Sequence, residues 1–167
     1  MLFLQTVMNR PPLLSVVIGT GFGAGFWPWG PGTAGAVVAT LLWYVGMLLV
    51  SPAVLLVATA AAVMLFTALG TWATARLQPF WGDDPSRVVV DEMVGVWLPL
   101  MVASVGSHRE ALAVAALLLF RFFDIVKPLG IRALDRRHGA IWVMLDDVLA
   151  GIYSAVVLVA LRFVAGV

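Results

Sequence analysis

Two pairs of adjacent carboxylates, each set against residues apolar enough for a lipid bilayer, constrain this chain more than any other feature. The first is Asp91-Glu92, followed at once by the run Met93-Val94-Gly95-Val96-Trp97. The second is Asp146-Asp147, with Val143-Met144-Leu145 before it and Val148-Leu149-Ala150 after it. An acidic side chain at membrane depth costs on the order of 2.5–3.5 kcal/mol on insertion scales, so it needs a compensating partner. Neighbouring carboxylates with apolar flanks also repel each other unless a cation joins them. Asp91-Glu92 can in addition serve as first-turn anions of a helix, where the macrodipole favours negative charge.

The lipid setting follows from the balance of residue types. The 167 residues are 62% hydrophobic and 11% charged, with a mean hydropathy of +1.04. Soluble domains carry about 25% charged residues. The expected fold is therefore all-α: a small polytopic helical membrane bundle, one membrane-embedded domain over residues 1–167. A net charge of +1 without a basic tail argues against nucleic acid as a partner. With no cysteine, disulfides, thiolate metal sites and thiol nucleophiles are excluded. Residues 1–10 lack the basic region, apolar core and cleavage site of a signal peptide, so insertion is expected to rely on internal segments.

Residues 11–18 read as a short helix opened by its prolines. The glycine-rich stretch that follows, up to Gly35, reads as a re-entrant or interfacial loop anchored by Phe22, Phe26, Trp27 and Trp29. Residues 34–50 and 53–75 are apolar spans, separated by the Ser51-Pro52 turn. Residues 76–91 read as a polar loop, residues 93–105 as a short apolar helix starting among the acids, and residues 111–127 as a helix stopped at Pro128. Residues 127–139 form the most basic loop, and a last helix is expected over residues 141–161. With a cytoplasmic N-terminus, Arg10, Arg76, Arg87, Lys127, Arg132, Arg136 and Arg137 lie inside, against Arg109 and Arg162 outside, as the positive-inside rule favours. The glycine-rich loop and both polar loops then share the cytoplasmic face.

The four paired acids are candidate metal ligands. Hard oxygen donors without sulfur suit Mg²⁺ rather than zinc. Arg121, Asp124 and Lys127 recur every three residues and are helical neighbours. They form either an internal ion-pair ladder or a unit in which Asp124 serves the metal and the cations serve an anionic ligand. Gly19, Gly21, Gly23 and Gly25 are spaced either for close helix packing or as a nest of amides receiving a phosphate, with Thr20 and Thr33 adding hydroxyls. His108 is expected at the far side and His138 in the solvated basic loop. Together these parts suggest phosphoryl chemistry on a lipid. A small transporter or channel would gather similar charges and would show flux without hydrolysis.

A series of motifs carries a resemblance. Gly19-Thr-Gly-Phe-Gly-Ala-Gly25 leads to Pro28-x-x-Pro31-Gly-Thr-Ala-Gly35, then to Asp84-x-Ser86-x-Val-Val-Val-Asp91-Glu92-x-Val-Gly95. Phe120-Arg-Phe-Phe-Asp124-Ile-x-Lys127-Pro128, Ile131-Arg132-x-x-Asp135-Arg136-Arg137 and Met144-Leu-Asp146-Asp147-x-x-Ala-Gly151 complete the series. In this order they resemble bacterial phosphatidylglycerophosphatase A. The resemblance implies an Mg²⁺-requiring phosphatase of the bacterial inner membrane, acting from the cytoplasmic side, that converts phosphatidylglycerophosphate to phosphatidylglycerol and phosphate. On that basis Asp91, Glu92, Asp124 and Asp147 are the expected catalytic acids, and Asp91, Glu92, Asp146 and Asp147 the expected metal ligands. Asp147 or Glu92 would take the proton from water. Arg121, Lys127, Arg132, Arg136, Thr20, Gly21, Gly23 and Thr33 are the expected phosphate contacts. The phosphotransferases that use an Asp-Gly-x-x-Ala-Arg run and the histidine-based lipid phosphatases are set aside, because their motifs are missing.

Overall fold

The computed structural model describes residues 10–128 and 130–166, so all of the N-terminal segment discussed above except Arg10 lies outside the described residues. In chain order it contains α1 (Leu13–Gly19), a 3-10 turn (Ala24–Phe26), α2 (Pro31–Leu49), α3 (Pro52–Trp81), α4 (Val90–Ala103), α5 (Arg109–Val126), α6 (Ile131–Asp135) and α7 (Ala140–Ala165). No strand occurs among the described residues, in keeping with the all-α expectation. Three helices, α2, α3 and α7, are long and apolar enough to cross a membrane.

The short helix α4 is the post around which the others stand. At 1.5 Å per residue its 14 residues cover ~21 Å, less than a hydrocarbon core of about 30 Å. It is buried on all sides instead, with Val90, Met93, Val94, Val96, Trp97 and Leu100 in the core. Helices α2, α3, α5 and α7 all pack against it. Two indoles stitch α2 to this post: Trp97 Nε1 donates to the Ala39 carbonyl (3.2 Å) and Trp43 Nε1 to Ser104 Oγ (3.3 Å). The outward faces are the reverse. Val54, Val57, Met64 and Leu65 on α3, and Val156, Val159 and Phe163 on α7, are exposed, as lipid-facing positions are.

Two elements differ from the sequence-based expectation. Helix α3 does not stop near Ala75 but continues through Pro79 to Trp81, leaving residues 82–89 as the polar loop. A proline loses only its own amide bond and can be accommodated near a helix end. The basic stretch after Lys127 is not all loop, because Ile131–Asp135 form one turn of helix entered through Gly130 at φ 93°.

The glycine-rich stretch packs inward against the connection leading to α4. Val89 N donates to the Gly19 carbonyl (2.8 Å), and Gly25 lies so close to Arg87 that a Cβ there would strike the Arg87 carbonyl oxygen. Backbone cannot yield as a flexible side chain can. Gly25→Ala is expected to cost about 1–3 kcal/mol by overpacking, read as a fall of several degrees in melting temperature in detergent. An unchanged melting temperature would show that this contact is loose.

Candidate functional site

Helices α4 and α7 run parallel, and both begin at the same end of the bundle. Their crossing is set by Gly95 and Gly151: a Cβ on Gly151 would strike the Gly95 carbonyl oxygen, and one on Gly95 would lie 2.8 Å from the Asp147 carbonyl oxygen. Pro99, four residues after Gly95, has no N–H to occupy that carbonyl. The two backbones therefore meet without intervening side chains. Asp91 stands one turn before Gly95, and Asp147 one turn before Gly151. The close crossing thus carries the acids together: carboxylate oxygens of Asp91, Glu92 and Asp147 all lie within 4.8 Å of one another. Asp91 and Asp147 are 6% and 4% exposed.

These acids face a cavity of about 490 Å³. Eight of the chain's nine carboxylates line it, against four cations, Arg121, Lys127, Arg136 and Arg137. Helix α5 brings Asp124 and Arg121 on its last turns, where they form an ion pair. Asp124 also lies beside Asp147, close enough for the two carboxylates to repel. Lys127, in the left-handed conformation at φ 48° just past α5, pairs with Asp146 (2.8 Å) and with Asp135 at the end of α6. Burial disfavours the ammonium, but hydrogen bonds to Asp135 and Asp146 outweigh it and raise the Lys127 pKa above its ordinary value. The lysine stays charged and clamps α6 over the start of α7.

A lining with twice as many acids as bases repels a phosphate dianion unless cations intervene. Two atoms inside it are buried without a protein partner, Glu92 Oε2 and Arg121 Nε. An unsatisfied buried carboxylate oxygen is costly, and a hard cation is the partner suited to three clustered carboxylates with no sulfur donor. The residues present therefore fit a divalent metal, with Asp91, Glu92 and Asp147 as its holders.

Of the residues singled out from sequence, Asp91, Glu92, Asp124, Asp146, Asp147, Arg121, Lys127 and Arg136 line this cavity. The compact acid group holds three of the four expected metal ligands; Asp146 turns to Lys127 instead. Thr20, Gly21, Gly23, Thr33 and Arg132 are not among the lining residues. Thr20 is buried and closes the end of α1, its hydroxyl donating to the Val16 carbonyl (2.7 Å) and accepting from Gly23 N (3.1 Å). Gly21 packs against Met93 and Val89, and Gly23 has open space beside its Cα. Thr33 is exposed on the first turn of α2. Arg132 donates to the Val126 carbonyl (3.1 Å) and lines a neighbouring groove. His138 is exposed at the rim, 3.2 Å from Asp83, and His108 is exposed where α5 begins.

The glycine that does enter the site is Gly32, on the first turn of α2. A Cβ there would strike Glu92 Oε1 and come within 3.3 Å of an Arg121 guanidinium nitrogen. Sequence reasoning gave no site role to Asp83, Asp84, Ser86, Asp135 and Arg137, all of which line the cavity. The available signal for Asp135 was its being the lone acid in a basic stretch that had to face some partner.

The sequence profile of the family described as Phosphatidylglycerophosphatase A matches residues 17–162. A Bacteroides thetaiotaomicron protein, named provisionally as a phosphatidylinositol-3-phosphatase, is 52% identical over 95% of this chain and 100% of its own length. A Haemophilus influenzae phosphatidylglycerophosphatase A is 35% identical over 95% of this chain and 92% of its own. An Escherichia coli phosphatidylglycerophosphatase A is 33% identical over 85% and 80%. No solved structure matches the chain.

Proposed function

Because the chain belongs to the phosphatidylglycerophosphatase A family, we propose that it is a Mg²⁺-dependent lipid phosphatase that hydrolyses phosphatidylglycerophosphate to phosphatidylglycerol and phosphate. The observation that carries this reading is the buried Asp91, Glu92 and Asp147 group within a strongly acidic cavity, an arrangement that makes sense for an anionic substrate only with a cation between them. When bound, the metal supplies Lewis-acid neutralisation of phosphoryl charge. Arg121 and Lys127 hold the remaining phosphoryl oxygens, while Asp124, Asp135 and Asp146 keep those cations aimed into the cavity. Water forms the new P–O bond and the bond to the headgroup oxygen breaks. Asp147 or Glu92 accepts the water proton, and the departing alkoxide takes one up. Ser86 and His138 both line the cavity, but no hydrogen bond joins them among the described residues and His138 turns to Asp83 instead, which supports direct attack by water over a covalent intermediate.

The polar end of the bundle carries Arg76, Arg87, Lys127, Arg132, Arg136 and Arg137, whereas Arg109 and Arg162 sit at the other end, bonded to the Met47 and Val102 carbonyls. This asymmetry supports a cytoplasmic-facing site in a bacterial inner membrane. The Bacteroides relative favours a second headgroup, a phosphorylated inositol. Phosphate release from detergent-solubilised protein, measured on both lipids with Mg²⁺ and with a chelator, separates the readings. Metal-dependent release from phosphatidylglycerophosphate is expected. Release that survives the chelator would remove the metal, and release from the inositol lipid alone would replace the substrate.

A further inference from the structure

Beside the acidic cavity lies a second, open groove of about 510 Å³ with the opposite character. Its polar walls come from Lys127, Arg132 and Arg136, and among the described residues no carboxylate lines it. Helix α6 divides its side chains between the two spaces. Arg132 and Arg136, four residues apart, share one face and reach the groove, while Asp135 reaches Lys127 and the cavity. Arg132 is held in place by the Val126 carbonyl. The Arg136 side chain forms no ion pair or hydrogen bond among the described residues, and it lines both spaces, as Lys127 does. Two exposed guanidinium groups side by side, one without any partner, make an anion-binding surface. The lysine, paired with Asp135 and Asp146, connects it to the acidic cavity.

We infer that this groove binds the phosphodiester of the lipid while the terminal phosphomonoester occupies the acidic cavity. The inference rests on the phosphatase reading above and deepens it by defining the substrate class: phospholipids whose headgroup carries a phosphomonoester beyond the phosphodiester. Phosphatidylglycerophosphate and phosphorylated phosphatidylinositols share that pattern. Phosphatidate, whose monoester sits directly on the diacylglycerol, lacks it. Arg132 and Arg136 are thus specificity determinants that touch a part of the substrate which does not react.

The test compares kcat/KM for phosphatidylglycerophosphate and phosphatidate, with Mg²⁺ in phosphatidylcholine-containing micelles, for the unmodified protein, Arg132→Gln, Arg136→Gln and the double variant. The ratio of the two values is expected to fall about tenfold in the double variant, the scale of one charge-assisted hydrogen bond, and mainly through KM for the two-phosphate lipid. Phosphatidylglycerol, which has the diester alone, is expected to inhibit the double variant about tenfold more weakly. Arg132 also ties α6 to α5, so Arg136→Gln separates lost charge from lost structure, and Arg136→Lys is expected to restore most of the ratio. A ratio that holds, or turnover of both lipids falling equally, overturns the assignment. So does an effect seen only when the micelles are made anionic, which would make the groove a seat for bulk lipid. A shift confined to inhibition by inorganic phosphate would make it a product exit and also overturn it. Failure of the phosphatase reading looks different, because the unmodified protein would then release phosphate from neither lipid.

Discussion

Asp147→Asn is expected to abolish phosphate release, by at least about three orders of magnitude, while leaving the protein folded and inserted. Its carboxylate lies with those of Asp91 and Glu92 inside a 4.8 Å group and is repelled by Asp124, so one isosteric change removes both a proposed metal holder and a candidate proton acceptor. Losing a single preorganised charge-stabilising group costs about 10²–10³ in kcat, and the double role takes the loss to the upper end or past it. The stability readout should move the other way. Without metal, four carboxylates press on one another at this point, and a neutral amide relieves that repulsion. The variant should therefore melt no lower than the parent in chelator. Added Mg²⁺ should stabilise the parent, by about 2.7 kcal/mol when present at a hundred times its dissociation constant, and should leave the variant where it was. Near-normal turnover, or a metal-induced rise in melting temperature equal to the parent's, would remove Asp147 from the centre.

The second large effect is expected from Gly151→Ala, which changes no chemical group in the site. The added methyl would strike the Gly95 carbonyl oxygen, which belongs to backbone and cannot swing aside. The helices must separate, at about 1–3 kcal/mol in stability. Separation by as little as ~1 Å can cost about 10²-fold in rate when it misplaces reacting groups, and here it moves Asp147 away from Asp91 and Glu92 together. The signature to look for is a loss of turnover far larger than the modest fall in melting temperature, with a parallel loss of Mg²⁺-induced stabilisation. Unchanged activity would mean that the acids are positioned by something other than this crossing.

The acid pairs were legible because carboxylates flanked by apolar residues have few physical explanations, and the helices were legible because long apolar runs have few folded forms. Neither argument reaches the pairing between distant segments. Asp146 and Asp147 are adjacent in sequence, yet one turns to Lys127 and the other to Asp91 and Glu92, a difference decided by the roughly 100° between successive residues on α7 and by where α5 ends. The same limit applied to the glycines. The run from Gly19 to Gly25 had the composition of a phosphate nest, but its backbone is committed to the end of α1 and to Arg87. Gly32, lying in a less conspicuous run, is the one pressed against Glu92. Local composition signals that backbone must come close to something and is silent on what.

Helix α3 sets the depth at which all this happens. Its 30 residues extend ~45 Å at 1.5 Å per residue, some 15 Å more than an average hydrocarbon core. The surplus falls at the C-terminal end, where Arg76 stacks on Trp72 and, just beyond the helix, Arg87 stacks on Trp81. Such pairs sit at headgroup level. The loop that follows, with Asp83, Asp84 and Ser86, walls the cavity, so the mouth is expected at the level of the headgroup layer. A phospholipid in that leaflet could present its phosphate by sideways diffusion, its acyl chains never leaving the bilayer.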